Sequence, residues 1–299
     1  AMMSSRARPL LSTRRCVRTR SATSSPGPPP ACAGTAWSKL RSEAEEALSS
    51  STRFGFGLIR LIEEKVLRHE SLAEGLSATL GAKLGTGDDR NGLDYQKMCA
   101  GAFESAPGLV DAAAADLERF LALDPAADGY LRIYLFFKGF HCVQSARVAN
   151  HYWTLPGGGG RWLASALQSD MSNVFGVDIH PAATWGRGVT MDHGTGCVIG
   201  ETSVIGDNVY LMHDVTLGAT GTSAAHDRHP KIGRGVFLAA KSTVLGNIQV
   251  GAHATVGAHA LVNKSVPPGY TAVGVPAKLL PPNQKPRHAP SGHPFPTTD

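Results

Sequence analysis

The stretch from Val177 to about Lys278 repeats every six residues, and that period constrains the fold more than any other feature of the chain. In register, Ile179, Trp185, Met191, Cys197, Ser203, Val209 and Val215 form one column, resumed by Ile232, Leu238, Val244, Val250, Val256 and Val262. A second apolar column lies two places on, at Ile199, Ile205, Leu211 and Leu217. Glycine often follows the apolar residue, as at Gly186, Gly233, Gly251 and Gly257. Six residues fit neither the helical period of 3.6 nor strand alternation, so the pattern predicts a solenoid. Each hexapeptide is one short strand and a corner, and three of them close a triangular coil around an apolar interior. At about 18 residues per coil, roughly four to five coils stack about 4.8 Å apart.

The period breaks once. Residues 219–231, ATGTSAAHDRHPK, do not fit it, and an insert in a regular array is a loop thrown out from one face. The loop groups His226, Asp227, Arg228 and His229; an arginine beside a histidine offers planar donors suited to a carboxylate. Met191 points into the coil, which leaves Asp192 and His193 on its exterior. Asp178, beside the interior Ile179, falls on a different side of the same coil. Asp178 and His193 therefore meet only where the corners bring them close, or across an interface with a neighbouring subunit. His253 and His259, six apart, read as a surface ladder, and His213 lies near the same coil.

Residues 37–176 read as helices, over 38–49, 54–69, 71–84, 93–104, 107–122, 130–153 and 161–174. Leu109, Val110, Ala113, Leu117, Phe120 and Leu121 share one helical face, and Phe136, Phe140, Val143 and Arg147 repeat the spacing. Gly157 to Gly160 form a joint. Residues 280–299 carry many prolines and are expected to be an unfolded tail.

Residues 1–36 hold six arginines, many serines and no acidic residue. That is the composition of an organelle transit peptide, expected to be disordered, and places the protein in a plastid, with mitochondrion or cytosol as alternatives. The whole chain is +5 and this segment carries +6, so the remainder is close to neutral. Such a body has no basic excess for nucleic acid, and no apolar run of membrane-spanning length occurs. The five cysteines, at positions 16, 32, 99, 142 and 197, form no CxxC pair and read as reduced thiols.

The segments VDIHPAA, GRGV, MDHGTG, VIGETSVIG, VTLGATG, DRHPKIG, VLGNIQVG and GVPAK follow LDPAADGY and KGFHCVQSARVANH upstream. Together they closely resemble serine O-acetyltransferase, over roughly residues 53–279. The resemblance implies an α+β architecture, an all-helical N-terminal domain followed by a left-handed parallel β-helix of hexapeptide repeats. It implies trimers, or dimers of trimers, with active sites between adjacent subunits. The reaction it implies is acetyl transfer from acetyl-CoA to the hydroxyl of L-serine, for cysteine biosynthesis. The family's catalytic histidine matches His193 and its partner aspartate Asp178; the amino-acid-binding residues match Asp124, Asp192, Arg228 and His229. Acetyl-CoA, a co-substrate and not a resident cofactor, is expected along the later coils at Ala219, Thr220, Ala240 and Ala258, and no metal is implied. The chemistry suits these residues, because a serine hydroxyl needs a base near neutral pKa and a carboxylate to orient it.

Three departures from the family pattern stand out. Gly218-Ala219-Thr220-Gly221 replaces a Gly-Gly-Thr-Gly, and Ala239-Ala240-Lys241 replaces a Gly-Ala-Gly, so that Lys241 meets a CoA phosphate or is solvated. The sequence as given ends in Asp299 where family members commonly end in isoleucine, the residue that docks into O-acetylserine sulfhydrylase. Weak or absent binding of that partner is the expectation, while inhibition by cysteine follows by analogy with serine. Other acceptors for the acetyl group, a γ-type carbonic anhydrase, whose zinc would need a paired-histidine spacing that His193, His213 and His229 do not supply, and a silent scaffold are the alternatives. The set Asp178, Asp192, His193 and Arg228 argues against the last.

Overall fold

The computed structural model describes residues 32–50, 55–85, 93–221 and 226–284. The proposed leader up to residue 31, part of the long loop, and the tail from residue 285 with its terminal Asp299 lie outside the described residues. Among the described residues eight helices come first: α1 (Ala33–Ser50), α2 (Gly55–Ile62), α3 (Leu72–Leu84), α4 (Tyr95–Ser105), α5 (Gly108–Leu123), α6 (Tyr130–Phe136), α7 (Lys138–Thr154) and α8 (Gly159–Phe175). α2 runs on as a π-helical turn, Glu63–Leu67. α1 begins inside the segment expected to be disordered, because Ala36 and Trp37 are buried in the helical core.

The predicted helix 130–153 is two helices. Phe137 leaves helical conformation (φ −80°, ψ 103°) and sets its ring edge-on to Phe120 at 5.9 Å. Phe140, Val143 and Arg147 are buried as the spacing predicted, whereas Phe136 is exposed. The glycine joint is confined to Gly157 and Gly158, both left-handed, since Gly159 already starts α8.

The solenoid follows as five coils. β1 (Asp178–Ile179), β2 (Thr184–Trp185) and β3 (Thr190–Met191) make the first, and β4 (Val198–Ile199), β5 (Val204–Ile205) and β6 (Tyr210–Leu211) the second. β7 (Thr216–Gly218), β8 (Lys231–Ile232) and β9 (Phe237–Leu238) enclose the long loop. β10 (Thr243–Leu245), β11 (Gln249–Val250) and β12 (Thr255–Val256) complete the fourth coil; β13 (Leu261–Val262) and β14 (Thr271–Val273) belong to the fifth. The three parallel faces are β1-β4-β7-β10-β13, β2-β5-β8-β11 and β3-β6-β9-β12-β14. β15 (Lys278–Leu280) pairs antiparallel on β14, so the folded part extends past the expected boundary at 279. This is a left-handed parallel β-helix preceded by helices.

The register carries one correction. Ile179 pairs with Ile199, Trp185 with Ile205 and Met191 with Leu211, so the interior column passes from Met191 to Ile199. Cys197, Ser203, Val209 and Val215 are buried too, but two places before the interior residue. The hexapeptide count therefore slips at the corner where residues 192–196 hold two more than a strict repeat allows, and it slips back after Val262, where Val266 stacks on Val250. The corner at 192–196 carries His193.

The buried free thiols of Cys99 and Cys197 are pushed up by burial, to about 12 and about 11. Among the described residues, no helix is long and apolar enough to cross a membrane.

Helices and solenoid are joined through a fully buried carboxylate. Asp116 of α5 accepts from Arg147 Nη1 (2.5 Å) and Nη2 (3.1 Å), from Gln144 Nε2 (2.8 Å) and from the Val189 amide (2.8 Å). Arg147 Nη2 also donates to the Gly186 carbonyl at 2.6 Å. Removing one partner strands the other in an apolar interior. We expect Arg147→Met to lower unfolding free energy by about 3–5 kcal/mol, read as the urea midpoint, with part recovered in Asp116→Leu/Arg147→Met. An unchanged midpoint in the single variant would show the pair to be dispensable.

Candidate active site

His193 stands on the enlarged corner with left-handed backbone (φ 59°), followed by Gly194 (φ 76°) and Gly196 (φ 76°). Its side chain is 70% exposed, with Asp192 Oδ1 at 3.6 Å from Nε2 and the His213 ring edge-on at 5.7 Å between centroids. The corner opens on a cleft of about 510 Å³ between α5, α7 and the first two coils, walled by Asp124, Lys138, Asp192, His193, Thr195 and Tyr210. Asp124 caps the end of α5 and accepts from the Ala126 amide at 2.9 Å, the turn that Pro125 begins. Burial first, then the charges of Asp192 and Asp124, drive the Tyr210 phenol well above its ordinary range. It stays protonated and donates to Asp192. Asp124, Asp192 and His193 thus form one group: a base flanked by two carboxylates, suited to an ammonium and a hydroxyl.

Arg228 and His229 belong to a second group, at the end of the β1-β4-β7 face where the long loop returns. His229 is buried, and its Nδ1 accepts from the Thr202 amide (3.1 Å) and meets Thr202 Oγ1 (3.0 Å). The proton therefore resides on Nε2. Burial, aided by the Arg228 charge, holds the imidazole below its ordinary pKa and so neutral at pH 7. Thr202 Oγ1 accepts from the amides of Arg228 (3.1 Å) and His229 (3.0 Å), fixing the loop's return. Arg228 Nη2 reaches Glu201 Oε2 at 2.9 Å, which leaves part of its fork for another acceptor.

Asp178 lies on this same face, with Gln168 Nε2 donating to it at 2.8 Å. Among the described residues no hydrogen bond or ion pair joins it to His193. The structure thus separates the residues expected together, with Asp124, Asp192 and His193 in one cleft and Asp178, Arg228 and His229 on another part of the surface.

The sequence reading missed His180, Glu201, Thr202 and Lys138. His180 is half-buried, its ring edge-on to Trp153 at 4.9 Å, and its Nδ1 accepts from the Ala182 amide at 3.1 Å. Burial lowers its pKa, against the charges of Glu201 and Asp178. The signal was present in HPAA and GETS, whose polar residues close strands of one face, but needed the register to be seen.

The acetyl-CoA positions divide as well. Backbone bonds run from Asp214 N to Thr195 O, Lys241 N to His213 O and His259 N to Ala240 O. Thr195, His213, Ala240 and Ala258 therefore stack as one column leading away from His193. Ala219 and Thr220 lie instead where the long loop departs from β7. Lys241 is left-handed (φ 61°) with Nζ 3.5 Å from Asp214 Oδ2, an exposed pair beside that column. His253 and His259 are exposed left-handed corner residues (φ 58° each), but His253 stacks over Gly235 and His259 over Lys241, so they stand on different corners and form no ladder. Among the described residues no three His, Cys, Asp or Glu side chains converge as metal ligands. His229 belongs to a different group from His193 and His213.

A family model described as "Serine acetyltransferase, N-terminal" matches residues 36–145, and a bacterial transferase hexapeptide model of six repeats matches 229–264. The probable serine acetyltransferase 1 of Oryza sativa subsp. japonica is 44% identical over 244 residues, 82% of this chain and 78% of that protein. The chain belongs to the serine acetyltransferase family. A soybean serine acetyltransferase complexed with serine superposes with TM-score 0.76 at 43% identity, covering 85% of this chain and all of that one. A serine acetyltransferase in complex with CoA does so with TM-score 0.76 at 36% identity, covering 83% of this chain and all of that one.

One glycine makes the acetyltransferase's second group possible. A Cβ on Gly200 would lie 2.0 Å from His229 Cδ2, so any side chain there drives the imidazole out of its seat. We expect Gly200→Ala to raise the KM for serine about tenfold or more, since one charge-assisted contact is worth about 1.5–3 kcal/mol. The KM for acetyl-CoA should move far less. Equal shifts in both constants would remove His229 from serine binding.

Proposed function

We infer that the chain transfers acetyl from acetyl-CoA to the hydroxyl of L-serine, giving O-acetyl-L-serine and CoA, at sites shared between adjacent subunits of a trimer. One observation carries this reading: a base with two carboxylates, and an Arg–His pair with a third carboxylate, occupy separate places on one chain. Each group holds half of what an amino acid needs. Rotation about a threefold axis brings the first group of one protomer against the second group of the next, the arrangement a closed ring produces.

In this site Arg228 and the Nε2–H of His229 bind the serine carboxylate, and Asp124 and Asp192 its ammonium. His193 takes the hydroxyl proton as the serine oxygen attacks the thioester carbonyl. The partner subunit's Asp178 holds the other ring nitrogen and stabilises the imidazolium. The tetrahedral intermediate then collapses, the C–S bond breaks, and the imidazolium returns its proton to the departing thiolate. The column Thr195, His213, Ala240 and Ala258 supports a pantetheine arm passing close to the backbone, with Ala219 and Thr220 contributed from the facing loop.

Plant relatives and the arginine-rich, acid-free stretch 1–36 support a plastid as the site of the reaction.

Loss of a general base costs about 10²–10⁴ in rate. His193→Ala should therefore lower kcat by at least about a hundredfold, measured as serine-dependent release of free thiol from acetyl-CoA. Arg228→Ala should chiefly raise the KM for serine. Near-normal turnover in His193→Ala would end the mechanism.

A further inference from the structure

Lys138, the first residue of α7, is the one lysine or arginine lining the His193 cleft among the described residues. It shares that cleft with Asp124 and Asp192, and its ammonium donates to Thr195 Oγ1. Thr195 lies two residues beyond His193, on the corner that carries the extra residues.

The corner's backbone bonds run from Asp192 N to Leu211 O (2.8 Å), Gly194 N to Asp192 O (2.7 Å), Gly196 N to Gly176 O (2.8 Å), Cys197 N to Gly194 O (3.2 Å) and Asp214 N to Thr195 O (2.8 Å). Among the described residues none of these uses the amide or carbonyl of His193. A side-chain contact to Thr195 adds a hold beside the one residue this frame leaves out. α7 is well placed to supply one, because its start is pressed onto the strand before the corner. A Cβ on Gly139 would lie 1.7 Å from the Met191 carbonyl oxygen. The lysine is thereby set at a fixed distance from the residues that precede His193.

We propose that Lys138 is a positioning residue for acetyl transfer, tethering the His193 corner through Thr195. This deepens the mechanism above and rests on His193 being the base. The groups facing His193 are Asp192, Asp124, Tyr210 and His213, with the Asp214–Lys241 pair one coil further on. Lys138 approaches from the helical side, and its remaining N–H donors are left for the cleft.

The test is the split between kcat and KM in three variants. Lys138→Met should lower kcat about tenfold and leave the KM for serine within about threefold. Lys138→Arg keeps a donor for Thr195 and should restore most of the parental kcat. Thr195→Val retains every charge and loses the tether, so its kcat should fall as in Lys138→Met. Parental kcat in Thr195→Val overturns the tether, even if the Lys138 variants fail to fold. A fully active His193→Ala would sink the base assignment itself. An inactive His193→Ala beside parental kcat in Thr195→Val sinks only the role of Lys138.

Discussion

Asp116 is wholly buried and accepts four hydrogen bonds, from Arg147, Gln144 and the backbone of the solenoid's first coil. A carboxylate taken out of water costs several kcal/mol, and only a saturated set of donors offsets that. The consequence here is geometric. Asp116 sits on the helix that ends in Asp124, Arg147 on the helix that begins at Lys138, and Val189 two residues before Met191. One ion pair thus holds in register the three segments that wall the cleft. Asp124 and Lys138 come from the helical domain, His193 from the solenoid, and their relative placement is decided about two helical turns away.

The solenoid contributes a different constraint. Every coil stacks its corners on the next, so a strict repeat would leave each corner residue locked into a ladder. Two extra residues between Met191 and Ile199 free His193 from it, and the left-handed conformation at 193, 194 and 196 turns the imidazole outward. The longer insert after Gly218 does the same for Arg228 and His229, then returns under the hold of Thr202. Both functional groups occur where the repeat is interrupted. Regularity builds the scaffold, and two of its breaches hold the residues proposed for the chemistry.

Much of this was legible in the sequence. A six-residue period with aliphatic columns has few structural solutions, so the coil, its interior and the loop after Gly218 followed directly. Asp192, His193, Arg228 and His229 were singled out from their position outside that column. The register slip at Met191 was not legible, because Cys197 and Val209 are as apolar as the residues that succeed Met191 in space. Nor was the break at Phe137, where packing against Phe120 overrides a helical pattern on both sides. His180, Glu201 and Thr202 became visible only once β1, β4 and β7 were stacked. Spacing along the chain says nothing about which residues close a face together.

The central claim is that two incomplete groups on one chain form a whole site only between chains. It is tested by mixing His193→Ala with Arg228→Ala, unfolding and refolding the mixture so that subunits exchange, and assaying serine-dependent thiol release. Each variant alone should be nearly inactive at low serine. A threefold ring of randomly mixed subunits should recover about a quarter of parental activity, because each mixed ring contains one site with both halves intact. Recovery no greater than the sum of the two variants would contradict the account and place the whole site within a single chain.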